Sequence, residues 1–327
     1  MRIEIYTKSS KLPPLIEGNI EHSRIMFATL EKSSSSKPYM LVAYENNEEQ
    51  AHLIIIRRRG VRLLPPVAGF WYTIYGEGVY NETCKDRERI YALFIDKIFD
   101  MFDIFHSFIE IKAMTDPRFA YAILSRYNFI PVRDHRLYIS LHSRTPEERL
   151  SRSYRSHIRN ATKRDVTYNE ATTPDEIEKG LHLLKNYYKS KIRRSLPDIS
   201  ILRQLLTEEK ESPHPQAKMF VVKSKGRIIG CSICTYDKDR AYLAYSCGLR
   251  KSYPLHYPGI MAVWAAISHA RENGYTHIEF LESRTLAGLH SGFKNFLLNF
   301  GCKQVSTLRW YHFKWNFLNK ILRAIYV

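Results

Sequence analysis

MFVVKSKGRIIGCSICTYDKDRAYLAYSC, residues 219–247, contains three strand-like runs separated by two polar turns. Met219 to Val222, Ile228 to Tyr236 and Ala241 to Cys247 are rich in β-branched and aromatic residues. Lys223-Ser224-Lys225-Gly226 and Asp237-Lys238-Asp239 are turn sequences, so the stretch predicts a three-strand antiparallel meander. A helix is expected next, over Pro258 to Asn273. Ile260, Val263, Trp264, Ile267 and Ala270 recur at helical spacing, Pro258 suits a first helical position, and Asn273-Gly274 suits a left-handed stop. Ile278-Glu279-Phe280 then reads as a short strand.

The first half of the chain runs through the same order. Tyr39 to Tyr44 and Ala51 to Ile56 are strand-like around a polar connection, and Arg89 to Phe105 carries a helical stripe of Ile90, Leu93, Phe94, Lys97, Ile98 and Met101. Ile109-Glu110-Ile111 is the matching short strand, and the pairs Asn128-Phe129 and Asn299-Phe300 each lead into a final β-rich segment. A shared offset of about 170 residues across several elements points to two copies of one α/β unit. The competing reading is an ordinary two-domain α/β protein whose elements happen to alternate alike. Between the halves, Thr145-Pro146-Glu147-Glu148 matches a capping box and predicts an amphipathic helix, and Thr173-Pro174-Asp175-Glu176 opens another with Ile177, Leu181, Leu184 and Tyr188 inward. Domains at 1–143 and 144–327 are expected, the second carrying the chemistry.

Composition narrows the setting. With 327 residues, 44% hydrophobic and 25% charged, the chain is an ordinary globular one, and 14 Gly and 14 Pro exclude fibrous or low-complexity classes. Five cysteines at irregular spacing do not make a disulfide framework, and neither a secretion signal nor a spanning segment is legible. A cytoplasmic protein is expected, with the inner face of the membrane within its reach. Fifty Lys and Arg against 33 Asp and Glu give a net charge of +17, which attracts phosphate-bearing ligands, nucleic acid or anionic membranes.

Strand, helix, antiparallel meander, helix, strand, helix, strand resembles the GNAT acyltransferase fold. Its doubling resembles the Fem family of peptidoglycan aminoacyl transferases and related tandem GNAT-like acyltransferases. Three pieces carry the likeness, in order: Tyr138-Ile139-Ser140-Leu141 with Thr145 to Glu148, Ser153 to Arg159, Ala161 and Lys163; then Gly226-Arg227-Ile228-Ile229-Gly230; then Gly292-Phe293-Lys294-Asn295-Phe296 with Phe300-Gly301. The resemblance implies a mixed α/β fold of two tandem GNAT-like domains, each a mostly antiparallel sheet flanked by helices. It implies acyl-CoA or aminoacyl-tRNA as donor, and no metal. The glycine-rich pyrophosphate loop of ordinary GNAT enzymes is missing between Cys247 and Ile260, and no long charged hairpin is inserted in the second domain, so both donors stay open.

Acyl transfer to an amine needs an unprotonated nucleophile, a stabilised oxyanion and a cationic cradle for the donor's phosphates. In the GNAT arrangement the donor lies where two strands splay, here Ala241 to Cys247 and His277 to Leu281. That names Gly248, Arg250 and Lys251 for the donor and Glu282 beside them, with Phe293 and Lys294 supplied by the resemblance. Lys294 is the first catalytic candidate, to bind phosphate or steady the oxyanion, against the plain reading of a solvated helix lysine. Glu279 or Glu282 is the candidate base, although Glu279 in a strand also suits an ion-paired carboxylate. Arg152, Arg155, Arg159 and Lys163 make a basic stripe opposite Leu150, Tyr154, Ile158 and Ala161, either a solvated face or a ridge for a phosphate-bearing substrate. Trp71 and Tyr72 suit an acceptor groove as well as they suit packing.

Cys231-Ser232-Ile233-Cys234 has CxxC spacing, but three residues apart in a strand point to opposite faces, which argues against zinc or redox chemistry. Arg57-Arg58-Arg59 reads as a protected strand edge. The tail from Lys303 onward mixes basic residues with Trp310, Trp315 and Phe317 and holds no Asp or Glu, so residues 303–327 either touch a membrane peripherally or close the second sheet with a packed terminal helix. The function expected is N-acyl transfer from a thioester to an amine of a nucleotide- or lipid-linked precursor in cell-envelope biogenesis. The alternatives are Fem-like transfer of an aminoacyl group from tRNA, and a non-catalytic module that binds RNA or an anionic membrane.

Overall fold

The computed structural model describes residues 1–33, 36–59, 69–102, 105–114, 118–142, 144–189, 199–208, 217–237, 239–281 and 291–326. Along the chain run β1 (Arg2–Tyr6), α1 (Arg24–Glu31), β2 (Ser36–Glu45), β3 (Glu48–Arg59), β4 (Phe70–Tyr75), β5 (Val79–Tyr80), α2 (Arg87–Met101), β6 (His106–Lys112), α3 (Arg118–Arg126) and β7 (Ile130–Ser140). Then come α4 (Pro146–Arg149), α5 (Arg152–Thr162), β8 (Val166–Glu170), α6 (Pro174–Tyr187), α7 (Ile199–Glu208), β9 (Ala217–Ser224), β10 (Arg227–Tyr236) and β11 (Arg240–Gly248). The chain continues with α8 (Pro258–Glu272), β12 (His277–Phe280), α9 (Ser291–Leu298), β13 (Lys303–Phe313) and α10 (Asn316–Tyr326). It divides into two compact units, Met1–Asp134 with Ser306–Val327, and His135–Val305.

In the first unit the strands pair in the order β1-β2-β3-β4-β6-β13, and only β4 with β6 is parallel. In the second the order is β8-β9-β10-β11-β12-β7, and only β11 with β12 is parallel. The two sheets thus share one pattern of directions. α2 and α8 are fifteen residues each, starting at 87 and 258, and β7 and β13 are eleven each, starting at 130 and 303. The left-handed residues before those closing strands are Asn128 (φ 62°) and Gly301 (φ 82°). These, rather than the two Asn-Phe pairs, are the equivalent positions.

The last strand departs from the sequence-based expectation. Arg309–Phe313 lie against Lys112–Phe108 of β6, not in the second sheet, while Tyr138–Ser140 of β7 fill the place beside β12. A buried charge pair fastens each closing strand. Arg309 Nη1 is 3.2 Å from Glu110 Oε1 and Nη2 is 3.1 Å from Asp134 Oδ2, with the Tyr311 hydroxyl donating to Glu110 at 3.1 Å. In the second unit Arg136 grips Glu279, its Nε donating to Oε1 at 2.9 Å. Tyr311 stands opposite Glu110 and Tyr138 opposite Glu279, so the same Arg–Tyr–Glu arrangement occurs in both sheets.

The first core packs Ile90, Tyr91, Phe94, Ile95 and Ile98 of α2 with Leu41, Leu53, Ile55, Ile74, Ile109 and Ile111 of the sheet. Each large side chain taken out of water contributes about 1.5–3 kcal/mol. In the second, α8 is buried on more than the one face its periodicity suggests. Val263, Trp264 and Ile267 join Phe220, Leu243 and Phe280, while Met261 and Ala262 pack on Val166, Val222 and Ile229. Pro258 starts α8 and Gly274 (φ 77°) ends it. The capping box forms, Thr145 N donating to Glu148 Oε2 at 3.0 Å, but its helix is a single turn. Ser151 starts α5 afresh by accepting from Tyr154 N at 3.3 Å. Cys231 faces Gly180 of α6 and Cys234 the core around α8, on opposite faces, and Cys231 lies across from Cys247 with sulfurs 3.4 Å apart.

Two consequences are measurable. Arg136→Ala leaves Glu279, 3% exposed, as a buried unpaired carboxylate, and should cost about 3–5 kcal/mol in urea unfolding. His22 is buried and neutral: Ile54 N donates to its Nδ1 at 3.0 Å, so Nε2–H donates to Tyr75 O at 2.6 Å. Burial, with His52 adding, lowers its pKa to about 3. The unfolded chain therefore binds the proton first, and stability should fall as pH drops below about 6.5, by about 1.4 kcal/mol per pH unit and roughly 2 kcal/mol by pH 5. The His22 ring should keep its neutral NMR shifts throughout that range; protonation near pH 6 would contradict it.

Candidate active site

Within the second unit, the described parallel pairing of β11 with β12 runs from Arg240 with His277 to Leu243 with Phe280, whereas β11 continues to Gly248, still paired on its other side with Gly230 of β10. The first turn of α8 closes directly on the end of β11. A Cβ on Gly248 would stand 2.3 Å from Gly259 N, and one on Gly230 would stand 2.9 Å from Pro258 O, so glycine at both places lets helix and strand backbones touch.

α8 begins without a side-chain cap. Tyr257 takes the N-cap in the left-handed conformation (φ 47°, ψ 46°), Pro258 has no N–H to satisfy, and there is no acidic residue in the first turn. The N–H groups that open a helix, and its positive dipole end, suit an anion. A cavity of about 370 Å³ adjoins this end, lined by Tyr154, His157, Ser246, Gly248, Arg250, Tyr257, Gly259 and Phe296 among others. A Cβ on Gly259 would meet nothing within 4 Å.

His157 stacks on Tyr257 at 4.2 Å and 16°, and its Nδ1 is buried with no hydrogen-bond partner among the described residues. Tyr154 packs edge-on against Phe300 at 4.9 Å. Burial pushes its phenol up to about 12, with Arg250 pulling the other way, so the hydroxyl stays protonated and able to donate. One cation, one imidazole and hydroxyl donors in a largely apolar cleft are what a phosphate-bearing acyl donor requires.

Of the sequence-predicted residues, Gly248 and Arg250 meet in this cavity. Lys251 is exposed next to Arg250. Lys294 is half-buried on α9, two residues before the lining Phe296. Glu282 and the Phe293 side chain lie outside the described residues. Glu279 is spent on Arg136. Arg152, Arg155 and Arg159 stand on the exposed side of α5, away from Tyr154 and His157, and Arg155 donates to Glu147 O at 3.1 Å. In the first unit, Tyr72 is a core residue whose hydroxyl donates to Met101 O at 3.1 Å, and Trp71 is half-buried on Phe108, stacked at 5.6 Å. Sequence reasoning missed Tyr154, His157 and Tyr257 as a cluster. The helical i, i+3 spacing of Tyr154 and His157 was the available signal; the left-handed Tyr257 left none. Among the described residues no group of three or more His, Cys, Asp or Glu is arranged to hold a metal ion.

The geometry predicts opposite results at two glycines eleven residues apart. Gly248→Ala drives a methyl into the α8 backbone and should cost about 3 kcal/mol in thermal or urea unfolding. Gly259→Phe points into open space, so it should leave the melting temperature within a degree or two while lowering donor affinity at least tenfold, read by calorimetry.

Residues 148–294 match the family described as acetyltransferase (GNAT) domain. No curated protein matches the chain. Among solved structures, FemX is 13% identical and superposes over 91% of this chain and 93% of its own with a TM-score of 0.68. The C-terminal domain of a protein named as a lysylphosphatidylglycerol synthetase, from Agrobacterium fabrum, is 10% identical over 92% of this chain and 91% of its own, TM-score 0.59. A tandem GNAT protein from the clavulanic acid biosynthesis pathway is 11% identical over 89% and 88%, TM-score 0.52. At such identities these likenesses give the fold, a mixed α/β chain of two tandem GNAT-like domains. Residues 148–294 thus match a GNAT acetyltransferase domain, and the fold of the chain is similar to that of FemX.

Proposed function

We propose that the protein is an N-acyltransferase that moves an acyl group from a thioester donor to an amine of a cell-envelope-type precursor carried on a nucleotide or lipid phosphate. The observation that carries this reading is the run of β11 past its last described pairing with β12, beside an uncapped, acid-free helix start. The first unit supplies the contrast. There β4 and β6 stay paired to Tyr75 and Lys112, a cavity beside Gly76 holds about 30 Å³, and α2 opens with Asp86 and Glu88, which repel an anion. The second copy, residues 144–327 in the sequence division, is therefore the one to which we assign the chemistry.

In this reading the opening N–H groups of α8 and Arg250 hold the donor's phosphates, with Lys251 at the mouth, and Gly259 leaves room for the thioester. The amine nitrogen attacks the carbonyl carbon, the oxyanion forms, and its collapse breaks the C–S bond and expels thiolate, which ends protonated. His157 is the acceptor we assign for the amine's proton, because Glu279 is occupied by an ion pair that the other sheet repeats. Tyr154, as a neutral phenol, and Lys294 are assigned to the oxyanion and phosphate charge.

An ester donor, aminoacyl-tRNA, is the second reading. It is favoured by the absence of a glycine-rich loop between Cys247 and Ile260 and by the exposed ridge of Arg152, Arg155 and Arg159, which suits a polyanion.

Purified protein should transfer label from acyl-CoA, and not from aminoacyl-tRNA, to an amino-sugar or stem-peptide precursor. Lys294→Ala should reduce turnover about 100-fold with unfolding unchanged, since a half-buried lysine contributes little to stability. Transfer from tRNA alone would establish the second reading, and transfer from neither donor would defeat both.

A further inference from the structure

One end of the first unit's sheet gathers features that acyl transfer does not use. β2, β4 and β6 all begin there and β3 ends there: Lys37 stands opposite Arg57, Arg59 opposite Phe70, and Phe70 opposite His106. A cleft of about 480 Å³ opens at this end, lined by Lys8, Lys37, Arg57, Arg59 and Phe70, with Glu31 the single carboxylate on its described wall. Glu31 is engaged with Ser9, whose N–H donates to it at 2.9 Å. Lys37 directly across from Arg57 is a like-charge pair that a sheet normally avoids. Both arginines lie over the Phe70 ring, at 4.8 and 5.9 Å, which holds their guanidinium groups in the cleft. Arg58 points the other way, to the Tyr75 hydroxyl. Arg57 and Arg59 thus line a cationic cleft, and β3, paired with both β2 and β4 there, is not the protected edge that the sequence suggested.

β13 ends at the same end. Phe313 pairs with Phe108, and Lys314 N donates to Ser107 O at 2.9 Å, beside Phe105, which is 46% exposed. The chain turns there into α10, which is held in place: Asn319 accepts from Phe313 N at 2.8 Å and donates to Phe313 O at 2.7 Å. Leu318 and Leu322 are half-buried. Phe317, Ile321 and Ile325, four apart, form a stripe 60%, 51% and 65% exposed. Lys320 and Arg323 flank that stripe, and no Asp or Glu occurs from Lys303 onward.

We propose that this end of the first unit docks on an anionic lipid surface, α10 laying Phe317, Ile321 and Ile325 into the interface beside Phe105 while Lys8, Lys37, Arg57 and Arg59 take lipid phosphates. Charge complementarity names the occupant: an apolar stripe edged by cations, next to a cleft of four more, matches acyl chains under negatively charged headgroups. The attachment lies on the bilayer, since among the described residues no helix is long and apolar enough to cross one. It gives a lipid-linked acceptor a reason to be nearby, yet needs no catalysis, so its failure and that of the proposed reaction are separable.

Cosedimentation with phosphatidylcholine vesicles, with and without phosphatidylglycerol, at low and high salt, without any acyl donor, is the test. The intact chain should pellet with phosphatidylglycerol vesicles at low salt. Phe317→Ser with Ile321→Ser and Ile325→Ser should lose at least tenfold at both salts, while melting as the parent does because these side chains are exposed. Lys37→Gln with Arg57→Gln and Arg59→Gln should lose about fivefold per charge, roughly a hundredfold together, and most of the salt dependence. A parent that stays in the supernatant at low salt, or a stripe variant that pellets like the parent, overturns the proposal. So does a parent dimer in light scattering that the stripe variant dissolves, which would make the stripe a contact between copies. Binding of soluble glycerophosphate or RNA by the cleft without vesicle binding would overturn it as well.

Discussion

The backbone contact between Gly248 and Gly259 sets the geometry of the second unit. A parallel pair of strands with a crossing helix ordinarily keeps side chains between helix and sheet; here the end of β11 and the start of α8 meet with none. That contact brings the opening N–H groups of α8 next to the end of β11, beyond its last described pairing with β12. Burial of α8 on nearly every side, from Ile260 to Ala270, then fixes the helix so that its start cannot withdraw. The cavity is a consequence of this crowding, because Gly259 offers no side chain to fill the space it faces.

What the two sheets share and what they do not share separate fold from function. Both close with a strand bearing an arginine that pairs with a buried glutamate on its neighbour, Arg309 with Glu110 and Arg136 with Glu279. A buried ion pair of this kind adds little net stability against an apolar pair, but it penalises any register that leaves one charge alone, so it specifies which strand closes which sheet. The central parallel pairs, by contrast, differ among the described residues: β11 runs on to Gly248 past its last described pairing with β12. In the other, Gly76 N donates to Lys112 O at 2.7 Å and seals the corresponding place.

Much of this was legible in the sequence because it is local. Turn residues marked the meander, Pro258 and Gly274 bounded α8, and Thr145 with Glu148 formed the capping box of α4, each acting over a few residues. The repeat was legible because element order survives where individual residues do not. The partner of β13 was not legible, since strand choice rests on pairing between Arg309 and Glu110, 199 positions apart, and alternation along a strand is blind to which neighbour it finds. Of the site, Gly248 and Arg250 followed from strand ends, but the Tyr154, His157 and Tyr257 cluster depends on a left-handed tyrosine that no propensity favours.

The two sheets, alike in strand order, differ in charge at their helix starts. α2 opens with Asp86 and Glu88, which stabilise it through its dipole, whereas the first turn of α8 has no acidic residue. They differ again at the opposite end of the first sheet, where Lys37 stands across from Arg57. Like charges persist in register only where an external anion offsets them or where nothing else selects the residue. A second pair of cations in the same cleft, held over Phe70, makes the first of these the more economical account.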